Sequence, residues 1–467
     1  MKKDGFTPDP VATLAAAMHE VGAIAARLVR ADHEIPVRPC LDPATVVEEF
    51  ELGLGEDGQP LDRVLHDLER ILLASPATAG PRFWNQLFGG REAAATAADM
   101  LASVANHSMY TLKVAGPQVT LERIVLDRMM AIAGFVGGEA TLAPGGSISN
   151  LGAMLIARNV ASGDARDAGL HAIRGRVYTS GESHYSVRKA AMIAGIGREN
   201  CVDIAIDAQG RMRPDALDAA LRADRAAGAL PMMVNATAGT TVRGAFDPID
   251  GIADVCATHG VWLHVDGAFG GSLLLSPRAR HLLAGLERAD SFTWDAHKLM
   301  GVPLLCSALM VRRRGLLTTH FGESASYLFQ GDDEAVDPGR RSLQCGRRND
   351  ALKLWAAWRH HGDRGWAARV DRQLTLARSL AARVEGHPRL VLVEAPASLN
   401  VCIRVPGADA TAVCAWLARE GEHLVGHATV RGETVVRVAV VDPAHTEADL
   451  AQLLHDLDRA GQALGGR

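Results

Sequence analysis

Two residues that could share one reaction follow apolar segments of the chain. Lys298 comes after a strand-like run of serine, phenylalanine, threonine and tryptophan, and Gly301 follows it. A lysine amine at the edge of a cavity can form a Schiff base with a carbonyl compound. Taken alone, Lys298 could equally be a solvated lysine at the end of a strand, because most lysines stay in contact with water.

An acid, Asp266, ends a second strand-like run, residues 261–265. The carboxyl end of a strand is where open α/β sheets present their chemistry. A carboxylate there can keep a pyridine nitrogen protonated, which turns the ring into an electron sink. The alternative is a turn or helix-cap acid, but Ala268 and the glycines after it leave room for a flat ring. Lys298 and Asp266 together therefore indicate pyridoxal phosphate.

A glycine-rich turn offers a site for the phosphate group of that cofactor. Gly146 and Ser147 precede the helical run 151–158, so backbone N–H groups and a hydroxyl would meet an anion at a helix start. The alternative is an ordinary serine-asparagine helix cap. Residues 53–58 match the dinucleotide pattern G-x-G-x-x-G. No convincing strand leads into them, so we interpret this match as a flexible turn between helices.

Two further polar residues follow strand-like runs. His184 comes after residues 177–180, where an imidazole could stack on a heteroaromatic ring and handle protons near neutral pH. A single histidine is also often structural. Thr237 follows the apolar run 232–235, and its hydroxyl could orient Asp266 or reach the cofactor. The alternative is a hydrogen-bonded loop of small residues.

The composition excludes several classes of function. The formal net charge of the 467 residues is -5, and basic runs are absent, which argues against a nucleic-acid partner. The 7 cysteines are scattered without a C-x-x-C pair, so we expect neither disulfides nor a metal site. We expect a cytoplasmic protein, because the amino terminus lacks a secretory apolar core and no stretch looks apolar for long enough to span a membrane.

The order of elements predicts an α/β protein with additional parts at both ends. Helices are expected at residues 10–30 and 61–73, and the first of these buries a broad face that a partner subunit would cover. Apolar runs alternate with helical segments over residues 75–355. We therefore divide the chain into an N-terminal helical segment, 1–75, a large cofactor-binding domain, 76–360, and a small α+β domain, 361–467. The predicted strands include residues 232–235, 261–265, 308–311, 390–394, 401–405 and 435–441.

The ordered series of segments resembles the pyridoxal-phosphate-dependent group II amino acid decarboxylases, and within them the glutamate and cysteine sulfinate decarboxylase branch. Such a series is far more specific than any single motif. The resemblance covers roughly residues 75–465. The matching segments are residues 81–87, 145–150, 183–186, 234–249, 264–271, 293–307, 327–330 and 343–347.

The resemblance implies fold type I, with a mixed, mainly parallel seven-stranded sheet flanked by helices. It also implies a homodimer with active sites at the interface. By this resemblance Lys298 forms the Schiff base with the cofactor, Asp266 pairs with the pyridine nitrogen, and Tyr327 protonates the substrate carbon after carbon dioxide leaves. The cofactor-binding residues would be Gly146, Ser147, His184, Thr237, Asp266, Ala268, His297 and Lys298, with His184 and Ala268 on opposite faces of the ring.

The same resemblance addresses the substrate. Gln86 and Arg437 match positions that contact a substrate carboxylate, although a solvated strand-edge arginine is an alternative for Arg437. Phe88 and Ser108 resemble the residue pair of cysteine sulfinate decarboxylases, whereas glutamate decarboxylases have serine and asparagine at the matching positions. A bulky Phe88 would shorten the pocket. We therefore expect a short acidic amino acid, such as cysteine sulfinate, cysteate or aspartate.

Several residues depart from the pattern of the branch. Lys113 stands where glutamate is usual, and Gly267 and Phe269 replace alanine and tryptophan. Asp295 and the alanine after it replace asparagine and proline before His297, and the loop after residue 330 is expected to be shorter. These changes could alter the charge of the pocket and the closure of the loop.

Other functions stay open at the level of the sequence. They are glutamate decarboxylation, decarboxylation of another amino acid, decarboxylation coupled to oxidative deamination, and cofactor binding without catalysis. The presence of Tyr327 and His184 argues against the oxidative variant.

Overall fold

Three helices precede the main body of the protein. The computed structural model describes residues 9–34, 37, 42–163, 165–171, 173–329, 336–420 and 422–465. The predicted N-terminal helices are confirmed, and the first extends past residue 30. Arg27 joins the first helix to the third through an ion pair with Glu69, at 2.5 Å. The three helices are α1 Pro10–Glu34, α2 Pro43–Glu49 and α3 Leu61–Ala74.

The expectation that no segment could span a membrane was wrong for α1 on length and composition. Val11–Glu34 forms 24 helical residues that are apolar enough to cross a bilayer, and only 6% of its most apolar window is buried. Length and composition alone are weak evidence of a span. An apolar helix that packs against a second subunit passes the same test.

A seven-stranded sheet forms the centre of the protein, in the order β1-β7-β6-β5-β4-β2-β3. β7 runs antiparallel to both of its neighbours, and the other pairs are parallel. The predicted mixed, mainly parallel sheet is therefore confirmed. The strands are β1 Glu139–Ala143, β2 Gly175–Ser180, β3 Cys201–Ile204, β4 Leu230–Thr237, β5 Trp262–Asp266, β6 Ser291–Asp295 and β7 Ser307–Val311.

Helices cover both faces of this sheet, as crossovers between parallel strands require. Every residue of β5 and β6 is buried as a result, which is why these strands read as continuous apolar runs in the sequence. The α-helices of this part are α4 Ala93–Ala105, α5 Leu112–Ala115, α6 Gln118–Ala133, α7 Gly146–Ser162, α8 Ala165–Ala168, α9 Ser186–Ile193, α10 Pro214–Ala226, α11 Ile249–His259 and α12 Leu316–Phe321. Short 3-10 helices span Arg198–Asn200, Gly270–Leu275, Arg280–Leu283, Leu286–Arg288 and Pro338–Arg341.

The long helix α13, Asp350–Glu385, leads from the large sheet to a smaller one. Its backbone leaves the helical conformation at Gly362, with φ 61° and ψ 177°. The domain division that we place after residue 360 stays a prediction. The smaller sheet is antiparallel, with the order β10-β11-β9-β8. Its elements are β8 Val391–Leu392, β9 Asn400–Arg404, α14 Ala410–Arg419, β10 Gly426–Val430, β11 Glu433–Ala439 and α15 Glu447–Leu464.

One hydrophobic core joins the two sheets. Phe292 and Trp294 of β6 belong to the same buried cluster as Trp366 of α13 and Val438 of β11. Burying a large aromatic side chain contributes about 1.5–3 kcal/mol, so this shared core holds the smaller sheet against the larger one. The end of β11 is thereby fixed near the carboxyl ends of the central strands.

Candidate active site

The carboxyl ends of the central strands surround a cavity of about 260 Å³. Asp266 ends β5, Thr237 ends β4 beside it in register, and the segment after β6 carries Lys298. All residues that we predicted to bind the cofactor line this cavity. They are Gly146, Ser147, His184, Thr237, Asp266, Ala268, His297 and Lys298.

Asp266 is held in place by two hydrogen-bond donors. The side-chain nitrogen of Asn150 donates to Asp266 Oδ2 at 2.8 Å, and the backbone N–H of Ala268 donates to Oδ1 at 3.1 Å. The carboxylate itself is buried. Hydrogen bonds to a charged group contribute about 1.5–3 kcal/mol each, so Asp266 is fixed in one orientation toward the cavity.

A chain of buried hydrogen bonds supports Asn150 from behind. Because the amide nitrogen of Asn150 donates to a carboxylate, its oxygen accepts from His264 Nε2, at 3.0 Å. His264 Nδ1 then accepts from the Ser291 hydroxyl at 2.8 Å, and Ser291 in turn accepts from the Trp262 indole at 2.8 Å. Burial lowers the pKa of His264 to about 4, so this histidine is neutral near pH 7.

The first turn of α7 faces the cavity without a side-chain cap. The N-cap residue is Gly145, with φ 93°, and no side chain caps the helix there. Gly146 is already the first helical residue, so the helix begins earlier than residue 151. The serine-asparagine cap that we considered is therefore wrong, because Asn150 points to Asp266 instead. Uncapped N–H groups at a helix start form a ready site for an anion.

Lys298 faces the carboxylate of Asp295, the last residue of β6. Its Nζ lies 3.4 Å from Asp295 Oδ2, and the lysine side chain is 23% exposed. His297 Nε2 lies 3.5 Å from the same oxygen, while His297 Nδ1 contacts the backbone of Cys306. Lys298 is therefore a half-enclosed amine at a cavity edge and not a solvated lysine.

The pKa of the His184 imidazole lies below its ordinary value, mainly because the ring is buried. The charge of Asp266 opposes that effect, and the charge of Lys298 adds to it. The Nδ1 atom accepts from the backbone N–H of Ser186 at 3.3 Å. His184 is thus held as a neutral imidazole whose Nε2 carries the proton.

The Thr237 hydroxyl has a different partner from the one that we considered, Asp266. Its hydroxyl contacts the Ser183 hydroxyl at 3.1 Å, and its backbone N–H donates to Asp247 Oδ2 at 2.7 Å. The groups that orient Asp266 are Asn150 and Ala268, so the orienting role considered for the Thr237 hydroxyl is not what the structure shows.

Tyr327 lies outside the cavity. The residue sits on a turn and is 80% exposed. The expected shortening of the loop after residue 330 lies outside the described residues.

The four predicted substrate residues do not line the cavity, but Arg437 contacts a residue that does. One Arg437 nitrogen donates to the Thr241 carbonyl at 3.0 Å, and another donates to the Asn85 carbonyl. Thr241 lines the cavity. Burial lowers the pKa of Arg437, so the alternative of a solvated strand-edge arginine is wrong.

The other predicted substrate residues have different surroundings. Gln86 follows Asn85 and is exposed. The Phe88 ring packs against Phe83, with 5.9 Å between centroids. Ser108 lies beside Gly346 in another part of the fold. The structure therefore brings Arg437 to the backbone beside Gln86 and places Ser108 beside a different segment.

Sequence reasoning missed the network behind Asp266. Asn150 and His264 were both inside recognised segments, yet neither was predicted as a site residue. His264 precedes Asp266 by two positions, and residues two apart on a strand share a face. That periodicity could have identified His264, whereas no local pattern connects Asn150 to a partner 116 residues away.

The residues of the cavity fit pyridoxal phosphate. They supply a lysine amine, a buried carboxylate fixed by two donors, and an uncapped helix start, all around one cavity. A lysine, a carboxylate partner for the pyridine nitrogen and an anion site are what this cofactor requires.

Comparison with known proteins agrees with this geometry. The cysteine sulfinic acid decarboxylase of Homo sapiens is 37% identical, over 98% of both chains. The acidic amino acid decarboxylase GADL1 of Bos taurus is 35% identical, over 90% of this chain and 85% of its own. The crystal structure of mouse CSAD superposes with a TM-score of 0.94 at 35% identity, over 98% of this chain and all of the other. The structure of Oryza sativa TDC with PLP and tryptamine gives 0.90 at 26% identity, over 98% and 99%.

A family model described as the pyridoxal-dependent decarboxylase conserved domain matches residues 43–406. That match covers well over half of the chain, and the relatives cover nearly all of it. The chain therefore belongs to the pyridoxal-dependent decarboxylase family, and it is a lyase whose cofactor is pyridoxal phosphate.

Proposed function

We propose that this decarboxylase acts on a short acidic L-amino acid, such as cysteine sulfinate, cysteate or aspartate, and releases carbon dioxide and the amine. The observation that carries the proposal is the convergence of Lys298, Asp266 and the uncapped start of α7 on one cavity. Relatives named for cysteine sulfinic acid and acidic amino acids support the choice of substrate.

Each cavity residue has a separate task in this proposal. Lys298 would hold the cofactor. Asp266 would keep a proton on the pyridine nitrogen, and Ala268 and His184 would enclose the ring. When bound, pyridoxal phosphate supplies an electron sink for the pair left behind when carbon dioxide departs. The negative charge of Asp266 is what makes that sink deep.

A proton must then reach the substrate carbon. We assign its delivery to Tyr327, assisted by His184 at the cavity wall. Tyr327 is exposed in the single chain, so this role requires its segment to move over the cavity or to reach a second subunit. A phenolic hydroxyl is a suitable proton donor.

The substrate side chain would meet Gln86, Phe88 and Arg437, and Ser108, which the single chain leaves apart from them, would have to reach it from the second subunit of the dimer proposed below. Arg437 is the natural partner for an acidic group, because a guanidinium binds carboxylates and sulfinates through paired hydrogen bonds. Its Nε has no hydrogen-bond partner among the described residues, although it is buried. The Phe88 ring would limit the length of the side chain that fits.

We also propose a homodimer with the active sites at the interface. Leu304 and Leu305 are 51% and 41% exposed, and Leu305 lines the cavity, so apolar surface lies open at its mouth. Helices α1 and α3 expose several large apolar side chains as well. Exposed apolar surface of this kind favours association. We propose a cytoplasmic location as well, which the free state of the described cysteines supports.

The test is a carbon dioxide release assay over the proteinogenic amino acids, cysteine sulfinate and cysteate. We expect the short acidic substrates to dominate, with no release of ammonia or peroxide. Lys298→Ala should abolish activity, whereas Lys189→Ala, a change at an exposed lysine on α9, should not. Preference for glutamate would refute the roles of Phe88 and Ser108 and leave the cofactor assignment intact.

A further inference from the structure

Asp295 is a buried acid at the cavity wall that the reaction above does not use. It ends β6, and its side chain is 1% exposed. One of its oxygens, Oδ2, faces the Lys298 amine at 3.4 Å and His297 Nε2 at 3.5 Å. The other oxygen, Oδ1, has no hydrogen-bond partner among the described residues. An unsatisfied carboxylate oxygen is costly at such a depth.

The Asp295 carboxylate lies against the first turn of α7. A Cβ atom added at Gly146 would come within 2.7 Å of Asp295 Oδ2 and 3.2 Å of Oδ1. The uncapped N–H groups at that turn are where a cofactor phosphate would bind. A phosphate monoester carries a charge between -1.5 and -2 near pH 7. Binding would therefore bring this charge next to a buried carboxylate.

Apart from His297, the titratable groups around Asp295 do not offset this repulsion. The nitrogen of Lys298, the present partner of Asp295, becomes part of the link to the cofactor. Asp266 is a second anion at the same cavity. Burial lowers the pKa of His184 and raises that of the Cys306 thiol, so both are neutral at pH 7. His297 is the remaining titratable neighbour.

We propose that Asp295 takes up one proton from solvent when the phosphate group binds, and then donates a hydrogen bond to a phosphate oxygen. The O–H bond that forms on Asp295 replaces one that breaks in a hydronium ion or buffer acid, whose conjugate base stays in solution, and no oxidation state changes. Cofactor affinity should consequently weaken as pH rises, because the required proton becomes scarcer. The inference rests on the cofactor assignment, which binding of pyridoxal phosphate to the wild-type protein tests separately.

The experiment compares the wild-type protein with Asp295→Asn, both freed of cofactor. Dissociation constants for pyridoxal phosphate are measured between pH 6.5 and 9, and calorimetry in buffers of different ionisation enthalpy counts the protons exchanged. We expect the wild-type constant to rise relative to that of the variant by about tenfold per pH unit. The wild type should take up one proton more than the variant.

Infrared spectroscopy identifies the group that carries the proton. Difference infrared spectra on binding should show the carbonyl stretch of a protonated carboxylic acid in the wild type and not in Asp295→Asn. A proton held by His297 instead would give no such band and would overturn the assignment. Asp290→Asn is the matched control, because Asp290 flanks the opposite end of β6 and accepts from the Leu263 N–H at 2.9 Å. It should behave like the wild type.

The wild type alone also tests the inference, should Asp295→Asn fail to fold. Pyridoxal forms the same covalent link but has no phosphate, so its binding should take up about one proton fewer than that of pyridoxal phosphate. Equal proton counts for the two compounds, or equal pH slopes for wild type and variant, would overturn the proposal. Loss of binding by a folded variant would overturn it as well, because Asp295 would then be needed as an anion.

Discussion

Replacement of Asn150 by alanine tests whether the buried network positions the cofactor carboxylate. The Asn150 side chain makes hydrogen bonds to Asp266 at 2.8 Å, to His264 at 3.0 Å and to Ser186 at 3.2 Å. Its loss leaves Asp266 Oδ2 and His264 Nε2 without these partners. A buried group left unsatisfied costs about 1–3 kcal/mol, so we expect the free energy of unfolding to fall by about 2–6 kcal/mol.

The same substitution should weaken cofactor binding. Asp266 would lose one of the two donors that fix its charged form, and such a bond contributes about 1.5–3 kcal/mol. Because 1.36 kcal/mol corresponds to a factor of ten, affinity for pyridoxal phosphate should fall by about 10- to 100-fold. Urea unfolding gives the stability, and titration of the cofactor-free protein, followed by the absorbance of bound pyridoxal phosphate, gives the affinity.

Asn159→Ala is the matched control for Asn150→Ala. Asn159 lies on the same helix, is buried, and contacts His320 at 3.3 Å and Arg158 at 2.8 Å, yet it does not line the cavity. This variant should lose stability without losing cofactor affinity. If both variants lose stability and both keep wild-type affinity, Asn150 has only a structural role and our reasoning about Asp266 is wrong.

Three other substitutions test separate parts of the protein. Asp266→Asn should keep the fold and lower kcat by about 100-fold or more in the carbon dioxide assay, because the electron sink loses its charged partner. Arg347→Ala should lower the free energy of unfolding by about 3–5 kcal/mol in urea, because it leaves Glu122, paired at 2.5 and 2.7 Å, as a buried uncompensated charge. Burial lowers the pKa of His445, stacked on Trp84, to about 4. Because the unfolded value is about 6.5, its contribution to stability is complete above pH 6.5 and falls by about 3 kcal/mol toward pH 4, and His445→Phe should remove that part of the slope in acid-unfolding measurements.

Each of these predictions has an outcome that contradicts it. Wild-type turnover by Asp266→Asn would show that the charge of this residue is not needed. Arg347→Ala with unchanged stability would mean that Glu122 finds water or another partner. An acid slope of unchanged size in His445→Phe would assign this part of the pH dependence to other groups, of which His264 is the first candidate, because burial also lowers its pKa to about 4.

The central sheet and the cofactor residues were predictable because they depend on local patterns. β4, β5 and β7 are runs of apolar residues, and a strand buried on both faces has this appearance in any sequence. Asp266 and Thr237 end neighbouring parallel strands. Because parallel strands place their carboxyl ends at one edge of the sheet, both residues meet at the cavity without any further information.

The substrate side of the site was less predictable, because its residues depend on contacts across the whole chain. Arg437 is held by the carbonyl of Asn85, which is 352 positions away. That contact exists only because the shared core docks β11 against the large sheet. Phe88 and Ser108 could be identified through the family resemblance alone, and the single chain leaves both outside the cavity lining.

The start of α7 shows why a correct motif can still lead to a wrong local structure. Gly145 and Gly146 are poor helix formers. The sequence therefore predicted a helix that begins after them, with Asn150 as part of its cap. In the fold, Gly146 is already helical, and a Cβ at this position would come within 2.7 Å of Asp295 and 3.0 Å of Ala268. Glycine is therefore required by the close approach of three elements. No side chain caps this helix start, so its free N–H groups are the part of the site that can bind a phosphate.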